Sequence, residues 1–143
     1  MLFHHLGIQV QDLEKSKAFY TAALKPLGYT LNMSFADGQV IGYGVGHTAS
    51  FCISGPESPA SKALAEKNEQ FATGPLHLAF NATSRQQVNE FYEAAIAAGG
   101  KDNGAPGIRR HYSWYSGNYY AAFVLDTEGR NIEVVCIGTE PTD

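Results

Sequence analysis

Two stretches of the chain, beginning at His5 and His77, are near-copies of one another, and a repeated unit restricts the possible folds more than any composition does. Aligned without a gap, HLGIQVQDLEKSKAFYTAALKPLG (5–28) and HLAFNATSRQQVNEFYEAAIAAGG (77–100) share the His-Leu start, the Phe-Tyr pair, the Ala-Ala that follows and the closing Gly. At 143 residues the chain suffices for one ordinary core but not for two independent ones, because the buried fraction falls steeply in small domains. A single domain of residues 1–143 is therefore expected, with module 1 over about 1–55, a linker over about 56–75 and module 2 over about 76–138. Chemistry is expected where equivalent positions of the two modules meet.

Hydrophobic periodicity gives the elements. Residues 3 to 10 alternate as a strand, with Leu6, Ile8 and Val10 on one face and His5, Gly7 and Gln9 on the other. Asp12 caps a helix whose Leu13, Tyr20, Leu24 and Leu27 recur near helical spacing, and Gly28 ends it. Runs 29–35 and 39–45 flank an Asp37-Gly38 hairpin signal, and a further strand is predicted over 49–54. The turn-rich linker holds a short predicted helix, 59–67, behind Ser58. Strand 76–82 repeats the first. A capping box at Ser84-Arg-Gln-Gln87 precedes a stripe of Val88, Phe91, Tyr92, Ala95 and Ile96, stopped by Gly99-Gly100. Residues 101–118 read as irregular and aromatic, with a strand somewhere in 101–112, and a closing hairpin spans 119–126 and 131–137.

Charge narrows the partners. A net charge of −4 lacks the clustered basic surface that nucleic acid or an anionic membrane requires. No apolar run approaches the roughly 18 residues of a membrane helix, and the start lacks a signal-peptide pattern, so a soluble cytoplasmic protein with a small-molecule partner is expected. Cys52 and Cys136 lie in apolar runs and read as buried thiols, not a disulfide.

Strand parity then carries the chemical argument. His5 lies opposite Leu6 and Ile8, His77 opposite Leu78 and Phe80, and Glu133 opposite Ile132 and Val134. If the apolar faces bury against the helices, His5, His77 and Glu133 all project from the other side. Two imidazoles and a carboxylate make a facial triad with open positions, suited to Fe2+, Mn2+, Zn2+ or Ni2+. His4 has the wrong parity and His47 sits in a Gly-Val-Gly-His turn, so both are set aside. The segment Pro106 to Tyr112, continuing through Trp114, Tyr115, Tyr119 and Tyr120, is an aromatic, Arg-bearing stretch suited to a flat organic ligand. Within it His111 and Tyr112 are candidates for acid–base and hydrogen-bonding roles, and Arg109, Trp114, Tyr119 and Tyr120 for substrate binding. Rings filling a gap between modules or a dimer interface are the competing reading.

The pieces HLGIQVQDLEKSKAFY, LHLAFNA and LDTEGRNIEVV together resemble the vicinal oxygen chelate superfamily, the group of glyoxalases, bleomycin-resistance proteins and extradiol dioxygenases. The resemblance implies an α+β fold of two βαβββ modules, forming a curved mixed sheet around a cleft with helices on the outer face. It implies a divalent metal on His5, His77 and Glu133, a substrate chelated through adjacent oxygens, and a homodimer. Glyoxalase I enzymes add a carboxylate from the last strand of module 1, and Cys52 stands at that place here. The departure weakens a glyoxalase I assignment and leaves two expectations: a metal-dependent lyase, isomerase or dioxygenase, or a sequestering protein of the bleomycin-resistance type that needs no metal.

Overall fold

A computed structural model describes residues 3–67, 76–110 and 118–138. The chain is α+β and consists of two βαβββ modules, each a four-stranded mixed sheet. The modules fall into two compact units, Met1–Gly74 and Pro75–Asp143. Among the described residues no helix is long and apolar enough to cross a membrane.

In the first unit, β1 (Leu6–Gln9) leads through α1 (Leu13–Leu24) and a 3-10 turn (Lys25–Leu27) to β2 (Thr30–Phe35), β3 (Val40–Gly44) and β4 (Phe51–Ser54). The spatial order is β1-β4-β3-β2, with β1 and β4 parallel and the other pairs antiparallel. The sequence forms α1 for local reasons. Asp12 accepts a hydrogen bond from Lys15 N at 3.0 Å, satisfying one orphan donor of the first turn. Pro26 cannot continue an α-helix, so the last turn tightens to 3-10 and closes on Gly28 at φ 81°. Phe19, Tyr20, Ala23 and Leu24 are fully buried, as are Phe51 and Ile53 on the sheet, which locates the core of this unit. The predicted first strand, 3–10, is shorter in the structure, and His5 lies just before it. The linker helix is observed as α2 (Pro59–Glu66), with Ser58 accepting from Ser61 N at 3.3 Å.

The buried Tyr43 ring reaches α1, where its hydroxyl donates to Lys17 O at 3.2 Å and pairs with Thr21 Oγ1 at 3.2 Å. Burial pushes its phenol above the ordinary 10.0, with the Thr21 hydrogen bond pulling weakly the other way. The folded state therefore holds this proton after the unfolded chain has lost it. Stability is unaffected below pH of about 10, falls as pH rises above that unfolded value, and levels off beyond the folded one. Urea melts from pH 8 to 11 should show this decline, and Tyr43→Phe should flatten it.

The second unit repeats the plan: β5 (His77–Asn81), α3 (Arg85–Ala97), β6 (Lys101–Ile108), β7 (Tyr119–Leu125) and β8 (Asn131–Ile137), in the order β5-β8-β7-β6. Ser84 caps α3 by accepting from Gln87 N at 3.2 Å, while Gln87 Oε1 reaches back to Thr83 N at 2.8 Å. Val88, Phe91 and Ala95 are fully buried, and so are Ala122, Val124, Ile132 and Val134, one face of β7 and β8. Ile96, expected on the buried stripe, is 36% exposed at its edge. β6 occupies part of the stretch expected to be irregular. Its alternation is broken by register shifts after Asp102 and Gly104, and Pro106 is accommodated because β6 is an edge strand.

Candidate functional site

Register builds the site in the second unit. β5 and β8 run parallel with His77 beside Asn131 and Ala79 beside Glu133, while antiparallel β7 puts Phe123 beside Glu133 and Tyr119 beside Ile137. Because alternate residues share a face, His77, Asn131, Glu133, Tyr119 and Phe123 all project away from the side packed on α3. These five meet closely. His77 Nε2 lies 2.8 Å from Glu133 Oε2, and the Tyr119 hydroxyl donates to Glu133 Oε1 at 2.5 Å. On the far side of the imidazole, Asn131 Nδ2 lies 2.8 Å from His77 Nδ1, and Asn103 Nδ2 donates to Asn131 Oδ1 at 3.0 Å. Phe123 stacks along the His77 ring, with centroids 6.1 Å apart and planes 23° apart.

The electrostatics follow from burial. Glu133 is only 3% exposed while the His77 side chain is 51% exposed. A carboxylate removed from water needs partners to replace hydration: Tyr119 donates to one oxygen, and the His77 ring nitrogen lies against the other. The hidden acid is thus held rigidly, with its accessible end carried by an imidazole.

Arg109 joins this face through backbone carbonyls. Its Nη2 donates to the carbonyls of Gly104 (3.3 Å), Ala105 (2.5 Å) and Ala121 (3.1 Å), and its guanidinium lies 5.1 Å over the Phe123 ring. Its Nε is buried with no hydrogen-bond partner among the described residues. Gly104 makes the arrangement possible: at φ 151° it adopts a backbone that side-chain-bearing residues avoid, and a Cβ there would stand 3.0 Å from Phe123 and 3.3 Å from Arg109. Tyr120 faces the other way, its hydroxyl donating to Asn89 Oδ1 on α3 at 2.9 Å with Arg85 over its ring. His111, Tyr112 and Trp114 lie outside the described residues.

In the first unit His5 is exposed, with its Nδ1 3.0 Å from that of His4. A cavity of about 580 Å³ opens on the sheet face away from α1, lined among others by His5, Met33, Phe35, Val40, His47 and Cys52. His4 also lines it, so both histidines set aside on sequence grounds border the same hollow as His5. Cys52 pairs in register with Gly7 as Glu133 does with Ala79, which makes it the structural counterpart of Glu133. Burial pushes its thiol pKa up, so Cys52 sits there as a neutral thiol, without the charge that a carboxylate would bring.

Sequence reasoning singled out His77, Glu133, Tyr119 and Arg109, and the second unit brings these onto one face. It missed Asn131, Asn103 and Phe123. Parity gave a signal for Asn131, which shares its face with Glu133. Asn103 gave none, because its orientation depends on a local break in the strand.

The profile of the Glyoxalase/Bleomycin resistance protein/Dioxygenase superfamily matches residues 2–134. A glyoxalase/bleomycin resistance protein from Albidiferax ferrireducens T118 is 31% identical, with 95% of this chain and 99% of that one covered and a TM-score of 0.72. A putative glyoxalase from Bacillus halodurans is 28% identical, covering 94% and 95% with a TM-score of 0.61. Lactoylglutathione lyase from Agrobacterium tumefaciens, at 21% identity, 94% and 92% coverage and a TM-score of 0.61, shares the fold. No curated protein matches significantly. The chain belongs to the glyoxalase/bleomycin resistance protein/dioxygenase superfamily.

Members of that superfamily typically bind a divalent metal. Among the described residues no three His, Cys, Asp or Glu side chains are gathered as a metal-holding group. The second unit's pair fits part of one. Nε2 of His77 and Oε2 of Glu133 converge on one point, while Nδ1 and Oε1 are each held from behind by a neighbour, the outer support that metal ligands usually have.

Proposed function

We propose that this protein binds a divalent cation through His77 Nε2 and Glu133 Oε2, with His5 as a third ligand, and acts on a small substrate that presents two adjacent oxygens. The observation that carries the reading is the convergence of a buried carboxylate and an exposed imidazole at 2.8 Å, each fixed from behind by a second hydrogen bond. His5 enters through the superfamily's ligand pattern and through its equivalence with His77 in the repeat. The reaction class is that of a lyase, isomerase or dioxygenase, and the working form is a homodimer.

When bound, the cation supplies Lewis acidity to chelating oxygens. The side chains do the rest. Tyr119 holds the Glu133 carboxylate in one orientation, so no reorganisation is needed as charge develops nearby. Phe123 provides an apolar flank that limits water on one side of His77, and the Arg109 charge behind it favours anionic ligands without contacting them.

A second reading is favoured by one observation. Cys52 gives module 1 a neutral thiol where its counterpart is a carboxylate, beside a largely apolar cavity of about 580 Å³, which suits a protein that sequesters a flat molecule without metal. Elemental analysis of protein purified without chelators separates the two. Near one divalent ion per chain, lost in His77→Ala, is the expected result. Absence of metal, with a ligand bound equally well before and after chelator treatment, would give the sequestering reading the case.

A further inference from the structure

The row of residues that crosses the floor of the first unit's cavity is nearly bare. Gly7 on β1, Cys52 on β4, Gly42 on β3 and Met33 on β2 stand side by side in register, on the face turned away from α1. The matching row of the second unit carries Glu133 and Phe123. Small residues at these places leave the hollow of about 580 Å³.

Gly7 is where the floor is barest. A Cβ built there would meet only Cys52 Cβ, at 4.0 Å, and its backbone is not left-handed, so nothing in its conformation calls for glycine. What the glycine keeps is open space beside a buried thiol. At the other end of the row a Cβ on Gly42 would stand 2.8 Å from the Met33 methyl, so that side chain closes the floor there. Phe35, on the same edge strand as Met33, lines the hollow while remaining 52% exposed.

The chemistry of the walls selects an occupant. Among the described residues that line the hollow none is Asp, Glu, Lys or Arg, so an ionic group would lose hydration there without meeting a countercharge. Two polarisable sulfurs, those of Cys52 and Met33, belong to residues that border it, and sulfur makes favourable contacts with aromatic rings. A saturated skeleton gains nothing comparable. The polar lining residues His4, His47 and Thr48 are exposed, which puts hydrogen-bonding groups at the open side.

We propose that this hollow is a subsite for an uncharged aromatic ring bearing a hydroxyl or carbonyl, with the ring over Gly7 and Cys52 and its edge against Met33, and that Gly7 determines whether the ring is admitted. The subsite rests on the small-molecule reading given above, and on neither of its two versions in particular.

The test is calorimetric titration of chelator-treated protein with 2-naphthol and with decahydro-2-naphthol, the same skeleton without the flat ring. 2-Naphthol should bind about tenfold or more tightly than the saturated alcohol, the scale of sulfur–ring contacts. Gly7→Leu places a side chain on the bare floor, from a Cβ that clashes with nothing. It should weaken 2-naphthol by about tenfold or more, as overfilling a packed space does, with a thermal melt near that of wild type. A second readout locates the ring. 2-Naphthol should slow alkylation of Cys52 by iodoacetamide, followed by mass spectrometry, and leave unchanged the rate at Cys136, which lies on the α3 side of β8 in the other unit. No binding of 2-naphthol, equal binding of the two alcohols, full affinity in Gly7→Leu or an unprotected Cys52 would each overturn the subsite. Binding and protection in a protein that takes up no Zn2+ when it is offered uphold the subsite and sink the cation reading alone.

Discussion

Asp126→Ala is expected to destabilise the protein by about 3–5 kcal/mol, because it removes one partner of a buried ion pair. Arg130 and Asp126 are each 4% exposed, and their side chains meet at 3.1 Å. Asp126 also organises the turn between β7 and β8: its Oδ1 accepts from Glu128 N at 2.9 Å and from Arg130 N at 2.8 Å. Truncation leaves the guanidinium in the interior with Glu128, at 3.2 Å, as its remaining carboxylate among these groups. A melting temperature lower by roughly 10 °C or more corresponds to that loss in a chain of this size. Asp126→Asn, which can keep the turn acceptor but not the charge, should fall between the two. Because Asn131 follows this turn directly, the alanine variant should also blur the His77 NMR signals at temperatures well below its melt. A loss under about 1 kcal/mol would mean that water reaches the pair and that it behaves as a surface bridge.

Glu133→Gln is the second large effect, and it falls on binding, not folding. Glutamine keeps the volume, and its oxygen can still accept from Tyr119, so the thermal shift should stay within about 2 kcal/mol, the net worth of altered hydrogen bonds. Divalent-ion affinity should drop by about 100-fold or more, since altering even an outer partner of a ligand costs roughly 10- to 100-fold. Calorimetric titration with Mn2+ or Zn2+, run beside a thermal melt, reads both quantities on one sample. An affinity within threefold of wild type would remove Glu133 from the ligand set. A collapse of the melt would show that its charge serves folding.

The repeat and the alternation made most of the fold legible. The parity that separated Glu133 from Ile132 and Val134 is the parity of the sheet, because β8 is regular and one of its faces must bury. Helix ends were legible where capping is local, as at Asp12, Ser58 and Ser84. What stayed illegible depends on departures from regularity. The route of β6 was obscured by Gly104, Pro106 and Gly107, and the bulge that aims Asn103 at Asn131 has no periodic signature. The carbonyl partners of Arg109 were equally hidden, because they converge only once β6 and β7 have paired. His5 falls inside the strand predicted over 3–10 but precedes the observed one, since the ladder starts where Leu6 N finds Ser50 O at 2.9 Å.

The matched registers of the two modules invite a last comparison. Where Phe123 flanks Glu133 on β7, the counterpart beside Cys52 on β3 is Gly42, and the room a side chain would need there is taken by Met33 and Ala49. One half of the duplication thus offers a stiff aromatic plate, the other a supple thioether that can reshape itself around what it touches.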